Sequence, residues 1–150
     1  MQARLLAAAV LVTASLAAAS PASAGPVSPQ AGTMTVNTVG LAVSPVVSAT
    51  GVFAGCTGVA DLTANQRFTP GTAVFSGSKL VTCESGTLEL AYTATIDKNL
   101  PGTQGSWQVV SGTGAYAGRQ GGGRLTGNFN TCDPMGTGFC VLDTYTGVIT

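Results

Sequence analysis

The chain has 150 residues, about the length of one ordinary domain. Lys plus Arg and Asp plus Glu are 6 each, charged residues make up 8%, glycine contributes 21 residues and histidine none. A Ser–His–Asp triad, a Cys–His pair and a His-ligated zinc site are therefore excluded, and scattered cations at neutral balance lack the basic footprint of nucleic-acid binding.

Residues 1–24 read as a secretory signal. Arg4 marks a short basic start, residues 5–19 form an Ala/Leu/Val run, and Ala22-Ser23-Ala24 offers a cleavage site before Gly25. The run is shorter than the roughly 18–20 residues that span a bilayer, so no stable membrane anchor is expected. Residues 25–32 hold two prolines and no periodicity, and read as a flexible leader. The remaining residues, 33–150, are expected to form one domain outside the cell.

From Thr33 onward, β-branched runs alternate with glycine punctuation. Eight strands are predicted, at about 33–43, 46–55, 58–63, 72–83, 87–97, 105–111, 121–130 and 140–149. Their spacing predicts an all-β fold, either a barrel or a two-sheet β-sandwich. The clearest strand places Leu88, Leu90, Tyr92, Ala94 and Ile96 on one face, with Glu89, Thr93, Thr95 and Asp97 on the other. Trp107 and Val109 share a phase on the next strand and read as core.

The stretch 112–123 is rich in glycine and reads as a structural turn between strands six and seven. It is not a phosphate loop, since no Lys-Ser/Thr follows and no strand–helix unit surrounds it. Arg119 and Arg124 flank the glycines, and Glu84 and Glu89 lie near Cys83. These charges would either be solvated or form a polar rim at one barrel mouth.

Four cysteines, Cys56, Cys83, Cys132 and Cys140, follow the signal. An even number in an exported chain implies two disulfides with three possible connectivities. Cys56–Cys83 with Cys132–Cys140 is preferred, because the second pair brackets a short loop. No Asp-x-Asp-x-Asp-Gly loop is present, so neither a metal site nor a cofactor is expected.

The last strand has two possible phases. One puts Val141, Asp143, Tyr145 and Ile149 together, the other Leu142, Thr144, Thr146 and Val148. In the first, Asp143 is a carboxylate inside an apolar barrel, with Tyr145 two positions on. Burial would then raise its pKa toward general acid or base work.

The run Gly105-Ser106-Trp107-Gln108-Val109 through Gly112-Thr113-Gly114-Ala115-Tyr116-Ala117-Gly118 to Gly121 and Gly123 resembles a Trp-x-Val…Gly-Thr-Gly-x-Tyr-x-Gly signature. That signature belongs to the allene oxide cyclase barrel-like proteins, which include plant dirigent proteins and small actinobacterial barrels. The resemblance covers residues 75–150 well and 33–74 by strand count. It implies an eight-stranded antiparallel barrel around a mainly apolar cavity, and it leaves an oligomer possible. The cysteines here look like disulfide partners, unlike a cavity thiol, and the family's catalytic residues do not map onto this chain.

The expected function is a non-catalytic binder of a small apolar ligand, through Leu88, Leu90, Tyr92, Trp107, Val109, Asp143 and Tyr145. The alternative is a cyclase-like or dirigent-like protein that steers a reactive small molecule by cavity shape. A third reading, a small β-sandwich carrier, rests on a compositional resemblance to enediyne-binding apoproteins.

Overall fold

The computed structural model describes residues 28–38, 43–97, 102–129 and 141–150. Eight strands run in chain order: β1 (Gln30–Thr38), β2 (Val43–Gly51), β3 (Cys56–Thr69), β4 (Thr72–Cys83), β5 (Gly86–Asp97), β6 (Gly102–Gly112), β7 (Gly121–Asn128) and β8 (Val141–Ile149). Each pairs antiparallel with its chain neighbour, and β1 pairs with β8 to close the barrel. The barrel is the predicted architecture, and the sandwich alternative is set aside. Closure pairs the backbone of most strands on both sides, which suits a chain with few charged residues to guard open edges.

The core follows from strand alternation. Met34, Val36, Val81, Leu88, Leu90, Trp107, Leu125, Tyr145 and Ile149 all point inward and are buried. Asp143, Tyr145 and Ile149 are buried together on β8, so the first of its two phases is the one adopted.

One end of the barrel is sealed. Phe53 turns inward from the bend after β2 and meets Trp107 edge-to-face, ring centres 5.6 Å apart. Tyr116 sits in a short 3₁₀ turn at Gly114–Tyr116, and its hydroxyl donates to the Val52 carbonyl at 3.0 Å. The Cys56–Cys83 disulfide joins directly opposed residues of β3 and β4 beside this plug. It is the preferred pairing for those two cysteines; Cys132 and Cys140 lie outside the described residues.

Several boundaries differ from the sequence reading. β1 begins at Gln30, inside the stretch read as a leader, because residues 30–32 pair with Ile149, Val148 and Gly147 of β8. β3 extends to Thr69, beyond the expected end at residue 63. Its residues 61–69 are all exposed and mostly polar, so no hydrophobic alternation marks them, yet β4 pairs with them throughout. Gly121–Gly123 belong to β7 and are not only turn.

Their role there is spatial. Trp107 opposes Gly123 on β7, which opposes Gly147 on β8, which opposes Gly32 on β1. A Cβ on Gly147 would come within 2.5 Å of the Trp107 ring. The row of glycines leaves the room that the indole fills.

Candidate functional site

Inward residues near the other end enclose a cavity of about 290 Å³. Small-molecule sites typically span about 300–1,000 Å³, so this one suits a small guest. Phe75, Ala94, Ile96, Leu125 and Val141 supply the apolar wall. Thr38, Asp61, Lys79, Tyr92, Thr103 and Asp143 supply polar groups. Thr38, Thr72, Asp97 and Val141 are strand ends on this side, opposite the Phe53–Tyr116 plug. Phe68 stands at the rim, 70% exposed, with its ring edge-on to Phe75 at 6.3 Å.

Strand register brings the polar groups together. Asp143 of β8 opposes Gly127 of β7, and Gly127 opposes Thr103 of β6, so the three form one inward row. Lys79 of β4 opposes Asp61 of β3, and their side chains form an ion pair at 2.6 Å. The Lys79 ammonium also lies 5.0 Å from the centre of the Tyr92 ring. Lys79 is only 5% exposed, so the pair and the ring together compensate its lost hydration.

Asp143 is 9% exposed, and the Thr38 hydroxyl donates to its Oδ2 at 2.9 Å. Burial raises its carboxyl above the usual aspartate range, and the nearby Asp61 charge adds to this. The Thr38 hydrogen bond and the Lys79 charge oppose the rise without cancelling it. Burial likewise pushes the Tyr92 hydroxyl up, helped by Asp61 and Asp143. Tyr145 beneath is pushed well above the ordinary tyrosine range, first by burial and then by the Asp143 charge. Low polarity thus favours the neutral form of all three groups.

Of the residues chosen from sequence, Tyr92 and Asp143 line the cavity. Leu88, Leu90, Trp107 and Tyr145 are buried core beneath it, and Val109 packs against that core half-buried. These five shape the barrel and do not line the cavity wall, because the wall comes from residues nearer the strand ends. Sequence reasoning missed Lys79, Thr103 and Thr38. Lys79 carried a signal: it shares the phase of Phe75, Val81 and Cys83, so a single lysine interrupts an otherwise inward apolar set.

Of the two readings of Glu84, Glu89, Arg119 and Arg124, the rim at a barrel mouth is not adopted at the cavity, since none of the four lines it. Glu84 and Arg119 lie at the plugged end, where Arg119 Nε donates to the Ala115 carbonyl. Glu89 accepts from Ser111 on the outer face, and Arg124 is exposed on β7.

Among the described residues no group of acidic residues and cysteines is placed to hold a metal ion. No helix among them is long and apolar enough to cross a membrane. The buried Cys56–Cys83 bond is consistent with an oxidising environment. Comparison with protein-family models, curated proteins and solved structures finds no match for this chain.

Proposed function

We propose that this is an exported barrel protein that binds a small amphipathic molecule, with an apolar body and one polar group. The observation that carries the reading is a cavity with apolar walls and a few convergent polar side chains, in a barrel sealed at its far end. Sites of this kind use the wall for affinity and the polar groups for orientation. Export rests on the signal-like residues 1–24 and the disulfide. The test is native mass spectrometry of protein purified without denaturation from its producing cells. A mass excess removed by organic solvent supports the reading; protein that is ligand-free there and takes up no apolar probe in vitro overturns it.

Asp143 favours a second reading, proton transfer to or from a bound intermediate, as in the cyclase-like or dirigent-like alternative. Burial raises the carboxyl above the ordinary aspartate range, which makes it a stronger candidate for proton transfer than a solvated aspartate. Oxidised fatty acids and phenolic radicals are the substrates to assay. Stereoselective turnover that disappears in Asp143→Asn would support it, and equal product mixtures with and without protein would exclude it for those substrates.

A further inference from the structure

The charges in the cavity are unevenly matched. Lys79 is held by Asp61 at 2.6 Å, and no described cation lies within ion-pair distance of Asp143. Thr38 occupies only Oδ2 of Asp143. The other oxygen, Oδ1, and the hydroxyl of Thr103 both lie beside Gly127. A Cβ placed on Gly127 would come 2.6 Å from Asp143 Oδ1 and would collide with Thr103 Oγ1, so the two oxygens flank the same small space.

That hydroxyl is a second, independent indication. Thr103 is 7% exposed, lines the cavity, and its Oγ1 has no hydrogen-bond partner. Buried hydroxyls without partners are uncommon, because each forgoes its hydrogen bonds to water. The pair thus offers a carboxylate oxygen and an unsatisfied hydroxyl, with Phe75, Ile96 and Val141 among the apolar wall residues.

We propose that Asp143 and Thr103 form a subsite for the protonated amine of a small ligand whose apolar body lies along the Phe75–Ile96–Val141 wall. The proposal rests on the small-molecule reading above and names the ligand class for the same cavity. An ammonium group carries several N–H donors and would place a positive charge directly on Asp143, which has no ion-pair partner among the described residues. An anionic ligand would have to compete with Asp61 for Lys79 and would face the Asp143 charge. A neutral alcohol would leave that charge uncompensated.

Among the described residues, the ionisable groups that act on or respond to Asp143 are Lys79 on β4, Asp61 on β3, Tyr92 on β5 and Tyr145 on β8. Its neighbours on β1, β6 and β7, namely Thr38, Thr103 and Gly127, carry no charge. The raised pKa of Asp143 in the empty cavity gives the expected sign. Amine binding favours the ionised carboxylate, so amine affinity falls as pH drops through that pKa.

The experiment is competition of hexylammonium, hexanol and hexanoate against a fluorescent apolar probe bound to the full-length secreted protein. At about pH 7, hexylammonium should displace the probe at roughly tenfold lower concentration than hexanol, the gain from one charge-assisted hydrogen bond. Lowering the pH to about 4 should shrink that advantage, and Asp143→Asn should remove it. If that variant does not fold, the wild-type pH series decides. Hexanol equal to hexylammonium, or hexanoate preferred, overturns the amine subsite and leaves the cavity reading standing. A probe that does not saturate at all overturns the cavity reading itself.

Discussion

Asp143 shows how one residue sets both a cost and a capability. Its folded-state pKa is raised above the ordinary 3.8, mainly by burial. A raised pKa means that the fold is favoured most when the group is protonated, and that this contribution is lost as pH rises through the raised value. In ligand-free protein, Asp143→Asn should therefore raise the melting temperature at about pH 7. The gap should close as pH falls below the raised value, where wild type is already neutral. Thermal melts across pH test this, and a gap undiminished at about pH 3 would contradict it.

Gly127 belongs to the same scale. An added methyl would press on Thr103 Oγ1, Asp143 Oδ1 and Val141. Gly127→Ala should cost about 1–3 kcal/mol in denaturant unfolding and weaken probe binding together. The sequence offered Asp143 as a candidate but left the phase of its strand open. Alternation alone does not choose between faces when both contain apolar residues, as Leu142 and Val148 opposed Val141 and Ile149. Thr103 and Thr38 were illegible, since nothing distinguishes an inward threonine from the many outward ones.

At the scale of elements, the central strands were the most legible. β4 and β5 lie where the alternation put them, because one face is buried along their length. The edges of β1, β2 and β3 were not legible, because pairing extends through residues with no apolar pattern. The glycine–tryptophan motif is intelligible only in the closed barrel. Trp107 and its glycine row come from four different strands that register brings level. Gly147→Ala should displace the indole, costing about 1–3 kcal/mol. Trp107 is the single tryptophan, so a red-shifted emission would report it directly; unchanged emission and stability would contradict the packing role. The disulfide makes a comparable demand. Cys56 and Cys83 stand 27 positions apart, and replacing both with alanine should remove about 2–4 kcal/mol. Guanidinium unfolding checks that figure, and a loss near zero would mean that the plug of Phe53 and Tyr116 holds this end unaided.

At the scale of the whole molecule, the described residues form an asymmetric barrel: one end is packed with Phe53, Tyr116 and the disulfide, and a cavity lined by apolar and ionisable groups lies toward the other. Strand spacing predicted an all-β fold, and the resemblance carried by the Trp107 and Gly112–Gly118 motif favoured the barrel over the sandwich. The position of the hollow did not follow from them, because it depends on which inward side chains are small or charged near the strand ends. Ala94 is the clearest example, a small buried residue on the cavity wall between Tyr92 and Ile96. Replacing it with phenylalanine adds bulk to that wall, at the end of the barrel opposite the Phe53–Tyr116 plug. The decisive measurement is fluorescence titration of a neutral apolar probe into wild type and Ala94→Phe, both checked for barrel structure by circular dichroism. The account predicts saturable binding to wild type and at least a tenfold loss in the folded variant. Equal affinity in the two proteins would contradict it.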